Sequence, residues 1–457
     1  MKVLFVSSEM FPYSKSGGLG DVAHSLPLAL QKYCEVVTLT PLYRFVDRKP
    51  LQLHPIGAAH TLKAGGKTYT YSIMWEEKHG TLFIENDLLC QSDVLYGMEN
   101  DALRFGLFSH IAADVAKRIE ADIVHLNDWH TALTPLFLKK SRIPTVFTIH
   151  NLAYQGIFGK EVLQPLGIEK RYFTMEGVEF FGKVNFMKAG IAYSDTVTTV
   201  SPTYAKEILT PEFGCGLDGF LKKHSQKLIG ILNGIDTRFF DPAHDNALAL
   251  NYTAAHPEVK AENKKALFGK LTLTDWEQPL FVFIGRLVEQ KGLSLIRGML
   301  EKLSGETLTF IMLGEGDAET EAEFRKLSKR YLHFHYIQGY DEALSHQLYA
   351  AADFLLMPSR FEPCGLNQMI AARYGAIPIV HSTGGLKDSV FEAHKQCIEG
   401  IVFEDYSVQA LLHAVQRAMH RYADRAAFLQ TVQFDMQCDV SFDKSAKTYA
   451  ALYRKML

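Results

Sequence analysis

Residues 1–30, MKVLFVSSEMFPYSKSGGLGDVAHSLPLAL, decide the fold. "KVLFVS" is a continuous apolar run, the mark of a strand buried on both faces. A loop follows, then Gly17, Gly18 and Gly20, then a helical pattern. Strand, glycine turn and helix in that order open a doubly wound sheet, whose ligands collect beyond the carboxyl ends of the strands. Bare amides at such a helix start can face an anion, and Lys15 adds a cation beside them. The spacing is G-G-x-G, not the dinucleotide G-x-G-x-x-G, and glycines in such a turn serve a purely conformational purpose equally well. Pro27, inside the expected helix, predicts a kink or an early end.

The same rhythm continues outward. "EVVTLT", "DIVHLN", "PTVFTIH", "DTVTTVS" and "KLIGILN" read as further buried strands, and "DALRFGLFSHIAADVAKRIE" reads as a helix with Leu103, Leu107, Ile111, Val115 and Ile119 on one face. The pattern pauses over a polar stretch and resumes with "PLFVFIGR", "LTFIMLGEG", "YLHFHYI", "DFLLMP", "AIPIVH" and "GIVF". This predicts an α/β protein of two doubly wound domains: residues 1–240, a linker over 241–262, a second domain over 263–440, and a C-terminal helix over 441–457.

A chain of 457 residues is too long for one core, which agrees with two domains. The net charge of −3 with mixed signs offers no polybasic face, so nucleic acid and anionic membranes are excluded as partners, and a small ligand or a neutral polymer is expected. Cys34, Cys90, Cys215, Cys364, Cys397 and Cys438 lack C-x-x-C spacing and suit a reducing compartment. The start has no signal-peptide pattern and no apolar run spans a bilayer, so a cytoplasmic location is expected.

Polar residues gather at particular strand ends. "VHLNDWH" carries His125, Asp128, Trp129 and His130, and "FTIHNLAYQG" carries His150, Asn151, Tyr154 and Gln155. The first group fits no common metal-ligand spacing, and no Asp-x-Asp pair exists to hold a metal and a nucleotide diphosphate. In the second half, "FIGRLVEQKG" sets Arg286 and Lys291 five residues apart just past a strand, able to fold toward one diphosphate. "SRFEPCGLNQM" places Glu362 in a turn heading a helical pattern, and "STGGLKDSV" repeats this with Thr383, Gly384 and Gly385. Together they describe a diphosphate held by cations and helix ends without a metal. Cys364 reads either as a thiolate at a helix start or as a small packing residue. Tyr340 reads as a platform for a base or as an ordinary half-buried tyrosine.

These motifs, in this order, resemble those of bacterial glycogen synthases and plant starch synthases, retaining glucosyltransferases that extend α-1,4-glucan from ADP-glucose. The anchors are "KSGGLGDV", "HLNDWHTAL", "FTIHNLAYQG", "LNGID", "GRLVEQKG", "PSRFEPCGLNQM" and "STGGLKDSV", and they cover essentially the whole chain. The resemblance implies the GT-B architecture, two Rossmann-like domains facing across a deep cleft with substrates bound there, and a final helix crossing back to the first domain. It implies that Lys15, Gly17, Gly18, Asp21, Asp128, His150 and Asn151 face the glucose or the acceptor, with Asn233 of "LNGID" among the binding residues. Arg286 and Lys291 would neutralise the diphosphate with Thr383, Gly384 and Gly385. Glu362 would bond glucose hydroxyls, with Cys364, Gly365 and Leu366 nearby, and Tyr340 would stack on adenine. Catalysis would rest on Lys15, Asp128, His150, Arg286, Lys291 and Glu362, without metal or other cofactor.

Gly20 stands where many relatives have alanine and Asn367 where threonine is frequent. A different retaining group carries two glutamates separated by seven residues, and here the second position is Ile370. A UDP-glucose transferase and a non-catalytic sugar-nucleotide or glucan sensor are the competing readings. Retention would follow from same-face attack guided by the departing phosphate, since the resemblance places the backbone carbonyl of His150, not a carboxylate, beneath C1.

Overall fold

The structure is a computed structural model and describes residues 1–303, 307–393 and 397–457. It divides into two units, Met1–Asn233 with Phe442–Leu457, and Gly234–Ser441.

The first unit is built on a ten-stranded sheet. Lys2–Val6 lies inside it, parallel to Glu35–Pro41 on one side and to Ile123–Asn127 on the other. Beyond Ile123–Asn127 come Thr145–Ile149, Thr196–Thr199 and Leu228–Gly230, all parallel. The chain therefore winds outward both ways from Lys2–Val6, and its direction reverses between Lys2–Val6 and Ile123–Asn127, where the carboxyl ends open a crevice for a ligand.

Val3, Leu4, Phe5 and Val6 are fully buried, as two covered faces require. The helix Gly18–Leu30 lays Val22, Ala23 and Leu26 against Val3 and Phe5, and the C-terminal helix Asp443–Met456 brings Ala446, Tyr449, Ala450 and Tyr453 into the same cluster. Pro27 does not shorten the first helix before its own position. The helix includes it and ends at Leu30, so the missing amide falls in the last turns, where few further bonds depend on it. The expected long helix is observed as Asp101–Arg118 with Leu107, Ile111 and Val115 buried.

On the other side of the sheet, Thr81–Glu85 follows Glu35–Pro41 in parallel. Lys67–Glu76 then runs antiparallel to it, and Leu53–Pro55 and His60–Ala64 pair with Lys67–Glu76. This antiparallel extension was not anticipated. Its segments are half exposed and alternate polar with apolar residues, so they lack the continuous apolar runs that mark the parallel strands.

The second unit has a six-stranded parallel sheet in the order Phe334–Gln338, Thr309–Gly314, Leu280–Ile284, Phe354–Met357, Ile377–His381, Ile401–Phe403. Its winding reverses between Leu280–Ile284 and Phe354–Met357. Residues 231–256 form no helix or strand beyond a single bridge between Ile235 and Ser441. Asp245 of this segment is held against the unit by His346, Nδ1 to Oδ2 at 2.7 Å.

Candidate active site

In the first unit the polar strand ends meet at the switch point. Asp128 leaves Ile123–Asn127 with φ 56°, a conformation that non-glycine residues rarely adopt and that concentrates at functional sites. This turns its carboxylate toward the end of the neighbouring strand, where Oδ1 accepts the His150 amide at 2.7 Å and the Asn151 amide at 3.4 Å. The His150 ring is fixed separately, Nε2 lying 2.9 Å from Asn127 Oδ1. Burial pushes the Asp128 carboxyl up to about 7, helped by the Glu9 charge and opposed by the two amides. Burial also holds the His150 imidazole at about 3, so it is neutral at physiological pH.

The glycine turn sits at the end of Lys2–Val6. Lys15 Nζ pairs with Asp21 Oδ1 at 2.8 Å, and Asp21 stands in the first turn of the helix Gly18–Leu30. Glu9, which the sequence did not single out, accepts from the amide and the hydroxyl of Ser16 at 2.6 and 2.8 Å. No motif in the sequence marks Glu9, since only the folded turn brings Ser16 to its side chain. Asn233 is buried in the irregular segment after Leu228–Gly230.

His125 and His130 do not face a ligand site. His125 is fully buried, with Nδ1 2.6 Å from the Tyr453 hydroxyl and Nε2 2.6 Å from Thr148 Oγ1. His130 is enclosed by Tyr96, Phe105 and Trp129, with ring centroids 4.3, 4.8 and 4.1 Å away.

In the second unit, Arg286 and Lys291 follow Leu280–Ile284, and Glu362 follows Phe354–Met357, so both loops flank the switch point. Lys291 Nζ meets Glu362 Oε2 at 2.6 Å, and the Ser359 hydroxyl donates to the same oxygen at 3.0 Å. The Ser359 carbonyl lies 2.8 Å from His381 Nδ1. Gly292, with φ 80°, allows the approach of the two loops, since a Cβ there would stand 1.9 Å from the Pro358 carbonyl oxygen. The Gly385 amide donates to the Glu362 carbonyl at 3.0 Å. Thr383, Gly384, Gly385 and Cys364 are buried around this contact, and Gly365 and Leu366 lead into the helix Asn367–Arg373. Asn367 donates to the Ile284 carbonyl at 2.7 Å, so it ties that helix to the central strand. Tyr340 lies past the edge strand Phe334–Gln338 and is 55% exposed. Ser359 and His381 were missed in the sequence because their parts are played through the backbone and through Glu362. Among the described residues no group of three or more His, Cys, Asp or Glu side chains is arranged to hold a metal ion, and no helix is long and apolar enough to cross a membrane.

Two doubly wound sheets, each with charged loops gathered at its switch point, define a glycosyltransferase of the GT-B class. Residues 2–223 match the starch synthase catalytic domain and residues 270–432 match glycosyl transferases group 1. Over its full length the chain is 44% identical to a glycogen synthase of Aquifex aeolicus, covering 99% of that protein. Among solved structures it superposes on the catalytic domain of starch synthase IV from Arabidopsis thaliana bound to ADP and acarbose, with TM-score 0.93, 35% identity and 99% of both chains covered. The fold is shared more distantly with a sucrose-phosphate synthase of Thermosynechococcus elongatus, with TM-score 0.64 and 17% identity over all of this chain and 98% of that one. The chain belongs to the glycogen synthase family.

Proposed function

We propose that the protein transfers glucose from ADP-glucose to the non-reducing 4-hydroxyl end of an α-1,4-glucan, with retention of configuration and without a metal. The observation that carries this reading is the pairing of Lys291 with Glu362 at the second unit's switch point, with Arg286 on the Lys291 loop and the Gly385 amide on the Glu362 carbonyl. A cation already seated on a buried carboxylate is preorganised, so it costs little to position when charge develops on a departing diphosphate. In this reading the second unit is the donor domain and the first, including the C-terminal helix, is the acceptor and catalytic domain.

Arg286 and Lys291 neutralise the ADP phosphates with Thr383, Gly384 and Gly385, and Tyr340 stacks on adenine. Glu362 takes glucose hydroxyls, with Cys364, Gly365 and Leu366 as neighbours. Lys15, Gly17, Gly18, Asp21, Asn151 and Asn233 bind sugar in the first unit. Asp128 Oδ1 holds the His150 amide at 2.7 Å and the Asn151 amide at 3.4 Å, one on each side of His150, and the second belongs to the same peptide as the His150 carbonyl, which supports the positive charge developing at C1. The leaving phosphate then takes the acceptor's proton on the same face, which gives retention.

The likeness to a starch synthase domain bound to ADP supports the adenine donor, and the six scattered cysteines, without C-x-x-C spacing, suit work in the cytoplasm. Incubation with glycogen and labelled ADP-glucose or UDP-glucose, in the presence of EDTA, tests the proposal. Incorporation from ADP-glucose is expected. A strict need for magnesium or manganese, preference for UDP-glucose, or binding without incorporation refutes it.

A further inference from the structure

We propose that Glu9 is a positioning residue for glucosyl transfer, fixing the glycine turn through Ser16 and itself braced by Tyr96. The inference rests on the reading above, in which Lys15, Gly17 and Gly18 meet the sugar. Glu9 is 3% exposed. Its Oε2 accepts the Ser16 amide at 2.6 Å, and its Oε1 accepts the Ser16 hydroxyl at 2.8 Å and the Tyr96 hydroxyl at 2.6 Å. The Tyr96 hydroxyl is in turn 2.9 Å from Ser8 Oγ, and its ring stacks on His130 at 4.3 Å.

This arrangement is costly for a merely structural device. All three of these partners are neutral donors, and among the described residues no cation is paired with Glu9; a buried carboxylate so placed destabilises a fold that a neutral side chain would serve better. What the carboxylate supplies is orientation. It accepts two bonds from one residue, which fixes the Lys15–Ser16 peptide in direction as well as in place. Lys15 is held from the other side by Asp21 at 2.8 Å. The turn is thus pinned on both sides of the Lys15–Ser16 bond, and the aim of Lys15 and of the Gly17 and Gly18 amides follows from those two anchors. The Glu9 charge also reaches Asp128 across the switch point, where it helps keep that carboxyl protonated.

The test uses the full chain carrying Glu9→Gln, Tyr96→Phe, Ser16→Ala, or Glu9→Gln with Ser16→Ala. It reads kcat for transfer from ADP-glucose, ADP affinity by calorimetry, and the thermal midpoint. Glu9→Gln is expected to lower kcat by about 10- to 100-fold, since small misplacements of positioning groups cost that much. ADP affinity should stay within about twofold, because the ADP ligands lie in the other unit. The double variant should lose less than the product of its two single losses, since both residues act through one contact. Wild-type kcat in Glu9→Gln, kcat and ADP affinity falling together, or fully multiplicative losses overturn the inference. If Glu9→Gln does not fold, Tyr96→Phe decides, because it keeps the ring and removes one bond; a lower kcat with unchanged ADP affinity supports the inference and an unchanged kcat overturns it. A wild-type protein inactive on ADP-glucose overturns the functional reading and this inference with it, whereas an active wild type matched by Glu9→Gln overturns this inference alone.

Discussion

Lys291 and Glu362 are ion-paired at 2.6 Å although 71 residues separate them in sequence. The side chain of Glu362 is 7% exposed and its oxygen also takes the Ser359 hydroxyl, so the pair is a fixed feature of the second sheet's switch point. Lys291→Ala should lower kcat by roughly 10²-fold or more at saturating donor, the scale of losing a preorganised charge partner. It also strands the buried carboxylate. The thermal midpoint of Lys291→Ala should therefore lie below that of Lys291→Ala with Glu362→Gln. Near-normal turnover, or the reverse order of midpoints, contradicts the argument.

The first unit's switch point predicts a pH dependence of stability. His125 and His130 are buried neutral, His125 held at about 3 and His130 well below its usual value, chiefly by burial. Each binds a proton only on unfolding, so each adds stability above the unfolded value near 6.5 that is lost as pH falls below it. Asp128 has the opposite sign. Its carboxyl is raised from 3.8 to about 7, so its contribution is present at low pH and is lost as pH rises between those values. Two imidazoles against one carboxyl leave a net uptake of one proton on unfolding between about pH 4 and 6.5, and His150 adds to the same side. Stability should rise by about 1.4 kcal/mol or more per pH unit over that window. Urea midpoints at pH 5 and 6.5 measure it, and equal midpoints refute the assignment.

Tyr453 secures the C-terminal helix to the sheet through the same buried histidine. Tyr453→Phe keeps the ring in the apolar cluster but leaves His125 Nδ1 without its 2.6 Å partner. The unfolding free energy should drop by about 1–3 kcal/mol, the cost of a buried polar atom left unpaired. Denaturant titration checks this, and a wild-type midpoint would show that the bond is replaced.

Both parallel sheets were legible because strands such as Lys2–Val6 and Leu280–Ile284 are covered on both faces and therefore read as unbroken apolar runs. Lys67–Glu76 was not, since a half-exposed antiparallel strand carries only a weak alternation. Lys15, Arg286, Lys291 and Glu362 could be picked out as charged residues past strands or in glycine-rich turns. The bond between Lys291 and Glu362 could not, because it depends on which strands lie side by side. Glu9 escaped for a related reason. A lone carboxylate in a loop has no motif, and only the fold of the turn brings Ser16 back to it and Tyr96 behind it. The place of the C-terminal helix was equally invisible in its residues, whose apolar face fits any comparable surface.

The approach of the two glycine-bearing turns in the second unit gives a last prediction. A Cβ at Gly385 would stand 2.1 Å from the Cys364 carbonyl oxygen and 2.4 Å from its Cα, and backbone atoms cannot swing aside as a side-chain tip can. Gly385→Ala must therefore push the turn that carries Glu362 away from the helix Gly384–Ser389, breaking the 3.0 Å bond from the Gly385 amide to the Glu362 carbonyl. Overpacking of this kind costs about 1–3 kcal/mol of stability. Because both turns are proposed to hold the donor, ADP affinity should fall by about tenfold or more, equivalent to about 1.4 kcal/mol. Gly17→Ala is the contrast in the first unit. Its backbone is extended and a Cβ there meets nothing within 4 Å, so the thermal midpoint should not move. Calorimetry with ADP and thermal unfolding on both variants decide the matter: a folded Gly385→Ala protein with wild-type ADP affinity would show that these two turns do not form the donor's seat.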